Sequence, residues 1–145
     1  MYNKFMEIRV NRSFHAAHRI WQHQEKCRYL HGHSYMVKIR AGGKLDKWGM
    51  VADFGDVKGI VDQLDHCVIL YRNDPLVSVL RESEQKLFLM DRNPTAENLA
   101  KLICYRLVSE LNLKWAEVEV FETENQSAFA SMKKGKEEKV EFEKS

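Results

Sequence analysis

The stretch Cys27-Arg-Tyr-Leu-His31-Gly-His33-Ser34-Tyr-Met-Val-Lys-Ile-Arg40 decides the fold and points to the chemistry of the chain. Ser34–Arg40 is rich in residues that favour β structure, so this part is predicted to be a strand. Side chains alternate along a strand, and His31 and His33 therefore leave the same face if the strand extends back to them. Two imidazoles at this spacing can bind one metal ion.

A third histidine, His18, lies upstream in Phe14-His15-Ala16-Ala17-His18. Three neutral imidazoles form a ligand set for Zn²⁺ that leaves a fourth position free, as catalytic zinc sites do. Zinc is favoured over iron or copper because no carboxylate completes a facial triad and no methionine is placed as an axial ligand. His18, His31 and His33 are therefore the predicted zinc ligands. His15 precedes His18 by an odd number of residues, so it points the other way on a continuous strand.

Cys27 is the candidate base beside the metal. It lies four residues before His31, between Lys26 and Arg28, and nearby cations or a metal raise the thiolate fraction of a thiol. Cysteine is also commonly a small buried hydrophobic residue. Cys67 and Cys104 lie in apolar surroundings and are predicted to belong to the core.

Two further sets of residues are candidates for proton transfer or for ligand binding. Asp65 and His66 are adjacent, and they form either a relay in which the acid orients the ring or an ordinary helix-end pair. Glu122 ends a predicted strand, where a carboxylate can grip the N–H donors of a flat heterocycle. Spacing alone favours a solvated edge residue for Glu122.

Length, net charge and composition limit the classes of protein to which this chain can belong. A length of 145 residues predicts one domain spanning 1–145. The net charge of +2 gives no basic footprint for nucleic acid, and no apolar run reaches the length of a membrane span. The first residues lack a signal-peptide pattern, and three cysteines without close pairing fit free thiols in a reducing compartment. A cytoplasmic location is expected.

Hydrophobic periodicity predicts an α+β fold, an antiparallel sheet with two helices on one face. His15–Leu30 is predicted to be a loop. The tail from Lys133 either adds a strand at Lys139–Phe142 or is partly disordered, with partial disorder favoured. The predicted strands are Phe5–Phe14, Ser34–Ala41, Ala116–Glu122 and a possible strand at Lys86–Met90; the predicted helices start after the caps Asp53 and Thr95, with a short helical stretch from Pro75 to Leu80.

An ordered set of motifs resembles the 6-pyruvoyltetrahydropterin synthase superfamily over about Phe5 to Phe129. Single pairs such as Asp-His carry no weight, but the whole set in this order is highly specific. The motifs are Phe14-x-Ala-Ala-His18, Cys27-x-x-x-His31-Gly-His33, Val51-x-Asp53-Phe54, Leu64-Asp65-His66, Asn93-Pro94-Thr95-Ala96-Glu97-Asn98 and Glu122-Thr123.

The spacing of Cys27 is similar to that of the bacterial 6-carboxytetrahydropterin synthases, whereas the 6-pyruvoyl enzymes have a longer spacer. The resemblance implies the tunnelling fold, a four-stranded antiparallel sheet with two helices on one side. It also implies a homohexamer built as a dimer of trimers, with active sites between subunits. A 6-pyruvoyltetrahydropterin synthase or related pterin lyase is the alternative, and a non-catalytic pterin-binding protein a distant third.

The resemblance also implies roles for single residues. His18, His31 and His33 would bind zinc, and Cys27 would accept a proton. The implied substrate is 7,8-dihydroneopterin triphosphate, and the implied products are 6-carboxytetrahydropterin, acetaldehyde and triphosphate, on the route to queuosine and other 7-deazapurines. The remaining roles are a proton relay at Asp65 and His66, pterin anchoring at Glu122, pterin-edge binding at Thr95, and triphosphate binding by Arg19, Arg28 or Lys38.

Two departures from the family pattern stand in the sequence. His15 occupies a position that is usually smaller or acidic, which allows a fourth imidazole near the metal. The stretch Val68–Met90 is longer than in compact members and lacks their asparagine soon after the Asp-His pair. Neither departure removes a catalytic group, but both leave the substrate preference open.

Overall fold

The computed structural model describes residues 6–145, so Phe5, the predicted start of the first strand, lies outside it. Seven strands form one sheet in the order β6-β5-β2-β1-β3-β4-β7. The strands are β1 (Glu7–His18), β2 (His31–Gly42), β3 (Val68–Tyr71), β4 (Leu87–Met90), β5 (Trp115–Thr123), β6 (Gln126–Lys133) and β7 (Phe142–Lys144), and the helices are α1 (Phe54–Asp62), α2 (Leu76–Glu82) and α3 (Ala96–Glu110).

The α+β class is confirmed, but the described sheet has seven strands instead of the four predicted. The third helix, α2, lies where the short helical stretch from Pro75 to Leu80 was predicted. Strands β6, β5, β2 and β1 are the four antiparallel strands. Strand β3 then pairs parallel to β1, β4 pairs parallel to β3, and β7 pairs antiparallel to β4. Strand β4 lies where the possible strand Lys86–Met90 was predicted, whereas β6 was not predicted. Strands β3 and β7 have four and three residues, too few for periodicity to separate them from short buried helix or loop segments.

The hairpin of β1 and β2 pairs twelve residues on each strand, from Glu7 opposite Gly42 to His18 opposite His31. Strand β1 therefore continues through the region predicted to be a loop, and that prediction is wrong for residues 15–18. The alternation of buried and exposed residues was not visible in the sequence here, because His18, a polar residue, occupies a buried position and faces a polar partner. The remainder, 19–30, contains a 3-10 turn at Lys26–Arg28 and no strand.

One face of the antiparallel part is covered by helices. Alternate residues of β2, from Tyr35 to Ala41, are buried there, and α1 and α3 contact both the sheet and each other. Both predicted caps are confirmed: an Asp53 side-chain oxygen accepts from Gly55 N at 2.6 Å, and Thr95 Oγ1 accepts from Asn98 N at 3.1 Å. None of the helices within residues 6–145 has the length and hydrophobicity needed to cross a membrane.

A smaller apolar cluster lies beside the main core, where α2 packs on the added strands. Its buried members are Leu70, Val77, Leu87 and Leu89. The tail packs on the main core instead: Val140 is buried there, and Phe142 stacks on Phe88 with ring centroids 5.4 Å apart. The strand in the tail is thus Phe142–Lys144 instead of Lys139–Phe142, and the tail is anchored by apolar contacts that its high charge concealed.

Gly42 is required where β2 pairs with β5, because the Trp115 indole lies over it. A Cβ at this position would come within 2.2 Å of the indole Nε1. We expect Gly42→Ala to push the indole out and to lower the free energy of unfolding by about 1–3 kcal/mol. The measurement is urea denaturation followed by tryptophan fluorescence.

Gly59→Ala is the matched control, because an added Cβ there meets nothing within 4 Å in the middle of α1. It should raise stability by about 0.5–1 kcal/mol, since alanine is the better helix former. Equal stability of the two variants would contradict the packing of Trp115 on Gly42.

Candidate metal centre and its surroundings

The register of β1 and β2 brings the three predicted zinc ligands together. His18 lies opposite His31, and His33 lies opposite Ala16, on the same face as His18. The ring centroids are 4.7 Å apart for His18 and His31, 4.9 Å for His31 and His33, and 5.2 Å for His18 and His33. One nitrogen from each ring lies within 4.8 Å of the others, so this cluster can hold a metal ion.

Main-chain carbonyls set the tautomers of two of the rings. His18 Nδ1 lies 2.7 Å from the Pro94 oxygen, and His31 Nδ1 lies 2.6 Å from the Tyr29 oxygen. A carbonyl only accepts hydrogen bonds, so each Nδ1 carries the proton. In the neutral rings each Nε2 then presents a lone pair, and these two Nε2 atoms face each other at 3.1 Å.

Two facing lone pairs repel unless a cation or a proton lies between them. Burial lowers the pKa of His18, which is only 2% exposed, and this disfavours the protonated ring. Burial also lowers the pKa of His33, whose Nε2 has no hydrogen-bond partner among residues 6–145. Two nitrogens on one tetrahedral zinc ion are separated by about 3.3 Å for bond lengths of about 2.05 Å. The donor set therefore fits a zinc ion.

Glu122 lies at the rim of the histidine cluster. Its Oε2 is 3.8 Å from His33 Nε2 and 3.4 Å from Gln126 Nε2, which donates to it. A groove of about 210 Å³ opens beside it, lined by Ala96, Glu97, Glu122, Gln126, Ser127 and Ala128. The second carboxylate of this groove, Glu97, was not singled out in the sequence, because on a helix its spacing resembles that of a solvated first-turn acid.

Tyr35 extends the same face of β2 beyond the two histidines. Its ring centroid is 5.4 Å from that of His33 and 5.9 Å from that of His18. Its hydroxyl is buried without a hydrogen-bond partner in the described part of the chain, and burial raises its pKa strongly, with a further contribution from Glu122. The period of two that grouped His31 and His33 already indicated this residue.

Asp65 and His66 form a pair, but on the other side of β1. Asp65 Oδ2 is 2.8 Å from His66 Nδ1, and Asp65 Oδ1 accepts from the His15 backbone N–H at 2.8 Å. Both bonds hold the pKa of the Asp65 carboxyl below its usual value, and the bond from the His15 backbone has the larger effect. His66 adopts a left-handed φ of 60° and is exposed. Within residues 6–145 no hydrogen bond joins this pair to the three metal-ligand candidates.

His15 itself stays away from the cluster. Its Nδ1 lies 3.0 Å from Ser34 Oγ, and its ring meets that of His66 edge-on at 6.3 Å. Both neighbours lie on the side of β1 opposite His18. The geometry thus agrees with the prediction from odd spacing.

Cys27 lies in the short 3-10 turn and is partly exposed, and its carbonyl accepts from Ile20 N at 2.8 Å. Cys67 and Cys104 are buried, as predicted. Thr95 Oγ1 faces the first turn of α3, where it caps the helix.

The structure assigns other partners to the three candidate triphosphate-binding cations. Arg19 forms a two-pronged ion pair with buried Asp74, Arg28 donates to the Tyr29 hydroxyl at 2.6 Å, and Lys38 lies over the Phe121 ring. The Arg19–Asp74 pair was missed because the two residues are 55 positions apart in sequence.

A model of the family described as 6-pyruvoyl tetrahydropterin synthase matches residues 7–133. The chain belongs to this family. The resemblance predicted from the motifs is therefore confirmed.

Curated relatives are similar over most of their own length. Proteins named 6-carboxy-5,6,7,8-tetrahydropterin synthase from Rickettsia conorii and Rickettsia felis are 44% identical over 95 residues and 38% identical over 124. These matches cover 60% and 77% of this chain, and 69% and 90% of the relatives. The protein of the same name from Haemophilus influenzae is 34% identical over 124 residues, 77% of this chain and 88% of its own.

Solved structures support the fold. The 6-pyruvoyl tetrahydropterin synthase of Plasmodium vivax has a TM-score of 0.64 at 23% identity, covering 88% of this chain and 98% of its own. That of Caenorhabditis elegans has a TM-score of 0.57 at 23% identity, covering 88% and 94%. These likenesses concern the fold alone.

Removing one imidazole tests the cluster directly. We expect His33→Ala to weaken Zn²⁺ binding by about 100-fold or more, because a ligand contributes more than the outer partners, whose loss typically weakens binding 10–100-fold. The measurement is a competition titration with a chromophoric chelator. His15→Ala is the control and should bind zinc within about twofold of the unaltered protein; a large loss there would place His15 among the ligands.

Proposed function

We propose that this chain is a zinc-dependent 6-carboxy-5,6,7,8-tetrahydropterin synthase. The observation that carries the proposal is the cluster of three imidazoles with Glu122 at its rim. Support comes from relatives that bear this enzyme name, including one of which 90% is matched. The position of Cys27, four residues before His31, favours a carboxy enzyme over a pyruvoyl enzyme.

The proposed reaction converts 7,8-dihydroneopterin triphosphate and one water molecule to 6-carboxytetrahydropterin, acetaldehyde and triphosphate, a step towards queuosine and other 7-deazapurines. His18, His31 and His33 hold the metal. A zinc ion bound there would polarise hydroxyls of the substrate side chain and lower their pKa. The rearrangement is redox-neutral overall, so the protein has to move protons and needs no external oxidant or reductant.

Three groups of this chain handle the substrate and its protons. Glu122 accepts N–H donors of the pterin ring, which a carboxylate oxygen can do in a two-pronged manner, and holds the ring in the groove beside His33. Thr95, at the start of α3, binds the pterin edge through its hydroxyl hydrogen, because the cap uses only the hydroxyl oxygen, as an acceptor. Cys27 takes a proton from carbon and returns it.

The relay pair requires a neighbouring chain in this proposal. Asp65 keeps the His66 ring oriented through the 2.8 Å bond to Nδ1, so Nε2 is the nitrogen free to exchange a proton. The pair lies on the other side of β1 from His18. We propose that it acts on the substrate held by an adjacent subunit of a homohexamer, as the family resemblance implies.

Product analysis separates the two closest functions. With 7,8-dihydroneopterin triphosphate as substrate, we expect acetaldehyde and 6-carboxytetrahydropterin, detected by mass spectrometry. A pyruvoyl product would instead assign the 6-pyruvoyltetrahydropterin synthase reaction. Zinc binding without any turnover of this substrate would leave a non-catalytic pterin-binding protein.

Cys27→Ala tests the proposed base. We expect turnover to fall by about 10²–10⁴-fold, the usual contribution of a positioned acid or base, while zinc stays bound. Cys67→Ala is the control, because this thiol is buried and donates to the Gln63 carbonyl at 3.2 Å. Unchanged turnover in Cys27→Ala would remove the residue from the mechanism.

A further inference from the structure

The C-terminal segment, defined as Glu138–Ser145, lies beyond the residues 7–133 that match the family. It packs against the part of the chain that leads from β4 into the metal centre. Met90 of β4 pairs with Phe142 of β7, and Asp91 N donates to the Glu141 carbonyl at 3.0 Å. Val140 adds a buried apolar contact. The segment is therefore attached by backbone pairing and by burial.

Arg92 is the main polar link between the C-terminal segment and this approach to the site. Its guanidinium donates to Glu138 Oε2 at 2.6 Å and to the Lys139 carbonyl at 3.0 Å. It also pairs with Asp91 at 2.8 Å, and Glu138 is shared with Lys101 at 3.3 Å. The Arg92 side chain is only 25% exposed, so these bonds are partly shielded from water.

Two residues after Arg92, the Pro94 carbonyl accepts the Nδ1 proton of His18 at 2.7 Å. The intervening Asn93 carbonyl accepts from Asn98 Nδ2 and from Thr95 N, both at 2.9 Å. The segment 91–94 is thus held from one side by the C-terminal segment and from the other by the start of α3. The proline ring fixes φ of Pro94 and reduces its freedom further.

We propose that the C-terminal segment is a positioning element for the metal ligand His18, acting through Arg92 and the Pro94 carbonyl. The inference rests on the proposed metal site. A hydrogen-bond partner on the second ring nitrogen fixes the tautomer and orientation of a ligating histidine, and its loss commonly weakens metal binding 10–100-fold. Arg92 acts one step further out, so a smaller effect is expected.

Arg92→Met is the test, with Arg81→Met as its matched control. Arg81 reaches Glu143 of the same C-terminal segment at 3.5 Å, but from α2, and within residues 6–145 it forms no hydrogen bond or ion pair with 91–94. We expect Arg92→Met to weaken Zn²⁺ binding by about 3–10-fold, below the loss for a direct outer partner. It should also change the visible spectrum of bound Co²⁺, whereas Arg81→Met should bind within about twofold of the unaltered protein with its spectrum unchanged.

A conservative variant separates positioning from general loosening. Arg92→Lys retains a cation near Glu138 and should recover part of the lost affinity. Unchanged affinity and spectrum in Arg92→Met would overturn the proposal, and so would an equal loss in Arg81→Met. If Arg92→Met does not fold, Glu138→Gln takes its place, and unchanged zinc affinity there overturns the proposal.

The test also distinguishes this inference from the proposed function. Absence of Zn²⁺ binding by the unaltered protein would overturn the metal site and this inference together. Zinc binding without formation of 6-carboxytetrahydropterin would overturn only the proposed reaction, and the comparison of Arg92→Met with Arg81→Met would still decide the role of the C-terminal segment.

Discussion

The pairing of His18 with His31 across the β1–β2 hairpin is the constraint on which the rest of the site depends. A slip of one residue would turn His31 and His33 to the helix-free face and leave His18 alone, because side chains alternate along a strand. The register is held by the buried face of the hairpin, where Phe14 stacks on Tyr35 with centroids 4.6 Å apart. Core packing and ligand geometry are therefore specified by the same alignment.

The electrostatics of the histidine cluster follow from its position between the apolar core and the groove. His18 is buried; its Nδ1 donates to the Pro94 carbonyl, whereas its Nε2 faces the Nε2 of His31. Nδ1 thus meets the requirement that buried polar groups be paired, and the facing lone pairs of the two Nε2 atoms do not. Tyr35 and Glu122 both lie next to His33, the first with a ring centroid 5.4 Å from that of His33 and the second with a carboxylate oxygen 3.8 Å from His33 Nε2.

The sequence was sufficient for β1 up to Phe14, for β2 from Ser34, for α1 and α3, and for the grouping of the three histidines, because each depends on local periodicity or spacing. It indicated β4 only as the possible strand Lys86–Met90, and it was insufficient for β3, β6 and β7. The apolar run of β3 is too short to show a period, and the charges around β7 obscure two residues that pack on the core, Val140 and Phe142. The carbonyls that orient His18 and His31 belong to backbone and leave no side-chain signal. Cys27, Asp65, His66, Glu122 and Thr95 were identified by motif, and their catalytic roles stay predictions.

The edge of β1 that faces away from β2 is paired over only part of its length. Strand β3 pairs only with Ala17 and His18, and the Asp65 carboxylate takes the place of a neighbouring strand at His15. From Glu7 to Phe14, none of the described strands pairs with that side, and β6 forms the opposite end of the antiparallel part. Among residues 6–145, these two edges carry main-chain donors and acceptors without strand partners, the feature that strand addition uses. The Asp65 carboxylate already accepts the His15 N–H, so a strand added along Glu7–Phe14 would have to end before His15.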